Sequence, residues 1–155
     1  MQSIPNIIIP IIENGTSSNK NLRDELKDKH VIIFGVPGAF TPTCSEKHLP
    51  GFIKLYDRIK SSNIDDIYCL SVNDAFVMKA WLSSYPNGDI IKGISDGNAE
   101  FAKEMDLLAD YSENFMGNRC KRFALIAENN SIITFNIEEK GQFLVSSAEY
   151  VLDQL

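Results

Sequence analysis

The sequence predicts an α/β protein with a central mixed β-sheet flanked by helices. Three observations predict it. His30-Val31-Ile32-Ile33-Phe34 opens an almost unbroken apolar run to Val36, the pattern of a strand buried on both faces. Strand-like and helix-like periodicities then alternate through the middle of the chain. Two strand-like runs, 123–127 and 132–137, are separated only by the polar Glu128-Asn129-Asn130-Ser131, which suits a hairpin. At 155 residues, 44% hydrophobic and 23% charged, the chain suits one globular domain spanning 1–155 with a core of its own. The formal net charge of -6 argues against nucleic-acid or anionic-membrane partners. No apolar run approaches the roughly 20 residues of a membrane helix. The early run from Ile7 to Ile12 is broken by Pro10 and lacks a basic flank, so it makes a poor signal peptide. Three cysteines at unrelated spacings, Cys44, Cys69 and Cys120, argue against a disulfide-stapled fold. A reducing compartment is expected, the cytoplasm or the interior of an organelle.

Taken in order, residues 1–15 alternate weakly and end in the turn signal Asn14-Gly15, which predicts a short strand or hairpin. Residues 16–29 are polar and read as a solvated turn or short helix. The buried strand 30–36 follows. A central helix from about Thr43 to Lys60 carries Phe52, Leu55, Tyr56 and Ile59 on one face, and Pro50 is expected to kink it. A second strand spans 64–72, and Asn73-Asp74 caps a helix over 75–85 whose spacing puts Phe76, Val77, Ala80, Trp81 and Ser84 in the core. A short strand over 89–94, a turn at Asp96-Gly97-Asn98 and a helix over 99–106 come next. Residues 110–119 lack periodicity and read as a loop. After the closing hairpin, Ser146-Ser147-Ala148-Glu149 caps a terminal helix over 147–155. Strand, helix, strand, helix, hairpin and final helix is the element order of a thioredoxin-like fold.

The chemistry concentrates where the strand 30–36 hands over to a helix, in Gly35-Val36-Pro37-Gly38-Ala39-Phe40-Thr41-Pro42-Thr43-Cys44. Backbone amides and the helix dipole favour negative charge there, so a thiol in that position is favoured as a nucleophilic thiolate. Thr41-Pro42-Thr43-Cys44 has the spacing of a Cys-x-x-Cys motif with threonine in first place, which rules out dithiol exchange within the motif. Either Thr41 is the helix N-cap with Pro42 at the first helical position, or Thr43 caps a Thr-x-x-Glu box ending at Glu46. Ionisation alone is not enough for catalysis. A free thiol, pKa about 8.5, is a few per cent ionised at neutral pH, so full ionisation gains roughly 30-fold, whereas enzymes supply a factor of about a million or more. The remainder requires a hydroxyl, backbone amides and a cation around the reacting atoms. Arg119, Lys121 and Arg122, just before the strand 123–127, are the candidate cations.

Residues 37–44, with His48-Leu49-Pro50-Gly51-Phe52 after them, resemble the peroxidatic-cysteine signature of the type II (type 5) peroxiredoxins. Leu70 to Val77, Gly117-Asn118-Arg119 with Lys121-Arg122-Phe123-Ala124, and Val145 to Glu149 resemble the same branch in the same order. The resemblance implies a thiol peroxidase acting on hydrogen peroxide and organic hydroperoxides. In it Cys44 is the nucleophile that becomes a sulfenic acid, Thr41 orients the peroxide, Pro37 shields the thiolate and Arg122 stabilises charge on sulfur and oxygen. It implies no metal, haem or nicotinamide cofactor. It also implies a homodimer, and a reductant that is either glutathione with glutaredoxin, or thioredoxin.

The other thiols and ionisable groups carry blander readings. The position matching the C-terminal resolving cysteine of some members holds Val145. Cys69 sits in Ile67-Tyr68-Cys69-Leu70 and reads as an inert buried thiol, with a resolving role, which needs its Cα within about 7 Å of that of Cys44, as the alternative. Cys120, between Arg119 and Lys121, reads as a partly exposed loop cysteine whose ionisation its neighbours favour. A one-cysteine cycle is therefore expected. His48, four residues after Cys44, is a weak candidate for a Cys–His dyad. Asp65-Asp66 and Glu138-Glu139 read as solvated turns. The rival to an enzyme is a redox sensor that signals through oxidation of Cys44.

Overall fold

The computed structural model describes residues 2–155. A seven-stranded mixed sheet forms its centre, with strands in the order β2-β1-β5-β4-β3-β8-β9. β3 (His30–Val36), β4 (Asp66–Ser71) and β5 (Lys92–Ser95) run parallel. β1 (Ile8–Glu13) is antiparallel to β5, and β8 (Phe123–Glu128) is antiparallel to β3. β2 (Thr16–Asn21) and β9 (Ser131–Ile137) form the outer edges.

The apolar runs of the central strands alternate between two cores, as burial on both faces requires. Ile32, Phe34 and Val36 of β3, with Ile67 and Cys69 of β4, face a layer made by α2 (Leu49–Lys54), α3 (Tyr56–Lys60), α4 (Ala75–Ser83) and α6 (Ala148–Leu152). Val31 and Ile33, with Tyr68 and Leu70, face the opposite core around α1 (Leu22–Leu26) and α5 (Glu100–Glu104). Gly35 pairs with Phe123 across β3 and β8, and a Cβ at Gly35 would lie 2.0 Å from the Phe123 ring. Glycine at this position lets the two strands and that ring pack together.

Several expectations are corrected. Of residues 16–29, read as a solvated turn or short helix, 16–21 are an edge strand and the short helix is confined to α1. Asn14 and Gly15, at φ 51° and 76°, make the tight turn that fixes the β1–β2 register. The exposed side chains of β2 bury no apolar face, so periodicity does not reveal it. The stretch 110–119 is not all loop, because Leu108–Asp110 (β6) pairs with Asn118–Cys120 (β7) as a small separate hairpin. Strands of three residues leave no periodicity to read. The third strand begins at Lys92 because a 3₁₀ turn occupies Gly88–Ile90.

The helix after β3 is also more broken than expected. It starts at Pro42, widens into a π turn over Cys44–His48, and is interrupted at Leu55 rather than at Pro50. Pro50 has no N–H and its ring would press on a carbonyl one turn back. The π turn relieves this by sending the Leu49 N–H to the carbonyl of Cys44. In α4, Asp74 accepts the N–H of Val77 at 2.9 Å and sets the phase so that Met78, Trp81 and Leu82 are buried. Phe76, Ala80 and Ser84, assigned to the core from their spacing, are instead exposed, Phe76 by 86%.

Candidate active site

The site forms where the end of β3 meets the start of β8. Phe34 pairs with Ala124 and Gly35 with Phe123, so the antiparallel register brings Arg122 beside the loop leaving β3. Residues 78 positions apart thereby come into contact: Arg122 Nη2 donates to Cys44 Sγ at 3.2 Å. Cys44 is fully buried.

Thr41 proves to be the N-cap, since its carbonyl accepts the first helical bond from Ser45 N–H at 2.9 Å. Thr43 is already helical and makes no side-chain cap bond, so the alternative capping box does not form. The Thr41 hydroxyl donates to the carbonyl of Gly38 at 2.7 Å, which leaves its oxygen lone pairs free to accept. Cys44 is the third residue after the cap, so its N–H is one of those a helix start leaves without an intrahelical partner. The connecting loop is held from the side. Ala39 N–H donates to Asn73 Oδ1 at 3.0 Å, and Phe40 takes a left-handed φ of 65°. From below, Trp81 Nε1 donates to Ser45 Oγ at 3.0 Å and the Tyr85 hydroxyl to the Ser45 carbonyl at 2.7 Å.

Of the three candidate cations, only Arg122 reaches the thiol. Arg119 turns away, donating to the carbonyls of Met116 at 2.8 Å and Val72 at 3.4 Å. Lys121 lines a cavity of about 900 Å³ together with Pro37, Thr41, Arg122, Tyr111 and Phe143. The Phe143 ring lies 5.7 Å from the Arg122 guanidinium.

His48 is no base toward Cys44. Its Nδ1 accepts from Arg122 Nη1 at 2.9 Å, because a guanidinium only donates, and its Nε2 donates to the carbonyl of Ser146 at 2.8 Å. Complete burial, reinforced by the Arg122 charge, pushes its pKa down to about 3, so the ring is neutral. The acidic pairs also differ from expectation. Asp66 is a half-buried partner of Lys29 and Lys92, both at 3.1 Å. Glu138 is buried, its carboxylate collecting donors from 144–146. A run such as Glu-Glu carries no mark of which member turns inward, so sequence offers little signal for either.

The remaining thiols are both interior. Cys69 lies mid-strand in the layer that holds Cys44, and burial pushes its thiol well up from the usual range. Cys120 is fully buried in the opposite core, and burial raises its thiol pKa too. The expectation of a partly exposed Cys120 of favoured ionisation is therefore overturned. β7 turns that side chain inward while its basic neighbours point elsewhere.

Residues 2–152 match the Redoxin family. The chain is 50% identical over 127 residues to Peroxiredoxin-2C of Oryza sativa subsp. japonica, which covers 82% of this chain and 78% of that relative. The chain is a peroxiredoxin. Its fold agrees: reduced Prx3 from Vibrio vulnificus, solved in complex with hydrogen peroxide, superposes with a TM-score of 0.93 at 40% identity, covering 99% of this chain and 96% of that one. A Plasmodium falciparum antioxidant protein described as a 1-Cys peroxiredoxin gives a TM-score of 0.89 at 36% identity, covering 99% and 95%. As a member of this family the chain is a thiol-dependent peroxidase of thioredoxin-like fold, and the non-enzymatic sensor is not favoured.

Proposed function

We propose that this peroxiredoxin runs a one-cysteine cycle on Cys44. The thiolate attacks one peroxide oxygen, the O–O bond breaks, and the other oxygen leaves as water or an alcohol after taking up a proton. Cys44 is left as a sulfenic acid. Thr41 orients the peroxide with its free lone pairs, Pro37 walls the sulfur from bulk water, and the Cys44 N–H and Arg122 stabilise charge on sulfur and oxygen. The observation that carries this reading is the 3.2 Å contact between Arg122 Nη2 and a buried Sγ beside the Thr41 cap.

An external thiol then displaces water from the sulfenic acid to give a mixed disulfide, and a second thiol restores Cys44. The burial of Cys69 and Cys120 and the valine at position 145 support an external reductant, glutathione with glutaredoxin or else thioredoxin. The cavity supports it too, with room for a small peptide thiol beside Thr41 and Arg122. All three cysteines are free, which fits a reducing cytoplasm or organelle interior. One sheet with a core on each face supports 1–155 as one domain. Phe40, Phe76 and Phe115, exposed by 57%, 86% and 98%, support a homodimer built beside the site.

Mass spectrometry without reductant, after one equivalent of hydrogen peroxide, tests the cycle. A sulfenic acid, or a glutathione adduct when glutathione is present, is expected at Cys44. A disulfide from Cys44 to Cys69 or to a second subunit overturns it.

A further inference from the structure

A closed circuit of hydrogen bonds lies behind Arg122, and nothing in the proposed chemistry uses it. Glu138 N–H donates to the Arg122 carbonyl at 2.9 Å. One oxygen of the Glu138 carboxylate accepts the N–H groups of Leu144, Val145 and Ser146 at 2.7, 2.8 and 3.0 Å, and the Ser146 hydroxyl at 2.8 Å. The Ser146 carbonyl accepts from His48 Nε2, and His48 Nδ1 accepts from Arg122 Nη1, whose sister Nη2 rests on Cys44 Sγ. The circuit thus starts at the Arg122 backbone and returns to its side chain.

We propose that Glu138 and His48 are positioning residues for Arg122: Glu138 pins residues 144–146 so that the Ser146 carbonyl holds His48 as its Nε2–H tautomer, and the bare Nδ1 then locks the guanidinium on Cys44. The inference rests on the role proposed above for Arg122. The chemistry of the ring requires each part. A carbonyl only accepts and a guanidinium only donates, so a single tautomer satisfies both neighbours. The other tautomer would set a donor against Arg122 Nη1 and leave the guanidinium free to rotate. Complete burial keeps the ring neutral, so it carries a single N–H and one bare nitrogen, and its two neighbours decide which is which. The loop that Glu138 pins also carries Phe143, whose ring meets the edge of His48 at 5.0 Å and lies near the Arg122 guanidinium. One carboxylate therefore fixes two of the surfaces that confine Arg122.

Two measurements test the inference. The first uses the parent protein: two-bond proton–nitrogen correlation of the His48 ring is expected to show one tautomer, protonated at Nε2. An Nδ1–H form or a mixture overturns the inference without any substitution. The second is the rate of Cys44 oxidation by hydrogen peroxide, in the parent and in Arg122→Gln. His48→Phe in the parent is expected to slow oxidation about 10- to 100-fold, the size typical of groups one step removed from a reacting centre. His48→Asn, which returns an acceptor near the Nδ1 position, restores most of the rate. Glu138→Ala slows oxidation by a smaller factor, and Glu138→Gln, which keeps a carbonyl acceptor, stays close to the parent. In Arg122→Gln, His48→Phe adds less than about a factor of two, because the group being positioned is gone. Equal losses in both backgrounds, or no recovery with asparagine in a folded protein, overturn the relay alone. An Arg122→Gln protein that oxidises at the parental rate overturns the Arg122 assignment, and the relay with it.

Discussion

Cys44 and Cys69 lie in the same apolar layer on one face of the sheet, and neither exposes any surface. Cys69 is mid-strand in β4, with Ile67 and Phe34 beside it, and burial pushes its thiol toward the neutral form. Cys44 stands at the start of a helix with unused amides, a hydroxyl one turn back and a guanidinium 3.2 Å from its sulfur. Burial is common to both, so it does not separate a reactive thiol from an inert one. The separation comes from donors that the β3–β8 register and the Thr41 cap deliver to one sulfur and withhold from the other.

The strongest way to break this comparison is to strip Cys44 of what Cys69 lacks. Cys44→Ser is expected to lose peroxide turnover by at least about 10³-fold in a coupled glutaredoxin or thioredoxin assay, as removal of a nucleophile does. Arg122→Gln keeps the thiol and removes the cation, and is expected to slow oxidation about 10²- to 10³-fold. If that variant turned over at the parental rate, the contrast between the two thiols would have to rest on the helix start alone. Thr41→Val preserves shape and removes only the hydroxyl. A loss of about tenfold in the oxidation rate is expected, with stability lowered by about 1 kcal/mol, because the buried Gly38 carbonyl loses the hydroxyl donor it takes from Thr41.

These residues were unevenly legible in the sequence. Cys44 and Thr41 are neighbours in the chain, and Pro42 between them marks the helix start, so local rules suffice. Read from charge and position alone Arg122 is one of three cations, and the family resemblance is what singles it out; the antiparallel register of β3 and β8 supplies the physical reason that it, and not Arg119 or Lys121, meets the thiol. Glu138 was not legible, because a carboxylate collecting four donors from one short loop depends on the path of that loop rather than on composition. The edge strand β2 escaped for a related reason, its polar side chains being set by pairing with β1 and not by burial.

His48 lets the comparison be sharpened through stability. In the folded chain its pKa lies near 3, against 6.5 for an unburied ring. Between those values the unfolded chain takes up a proton that the folded one refuses, so acidification favours unfolding, by up to about 1.4 kcal/mol per pH unit. From pH 6.5 to pH 4 this group alone costs roughly 3 kcal/mol of stability, and the loss ends once pH falls below the folded value. Chemical denaturation of the parent and of His48→Asn across that range checks it. The parent's stability is expected to fall more steeply with acid, whereas parallel curves would show that the buried ring does not resist protonation.

The smallest expected effect falls on the other thiol. Cys69→Ala removes a buried sulfur and leaves a space little larger than the atom, which costs about 1 kcal/mol of stability. If Cys69 is the inert member of the pair, peroxide turnover with an external thiol stays at the parental rate, and Cys44 still ends as a sulfenic acid or mixed disulfide. If instead β4 opens far enough for Cys69 to resolve Cys44, the variant would oxidise normally yet stall on the second turnover with thioredoxin. Pre-steady-state and steady-state rates measured on the same sample separate the two outcomes, because only the return step would change. The burial of Cys69 and the upward push on its thiol favour the first result, since an attacking sulfur must ionise and must reach its target.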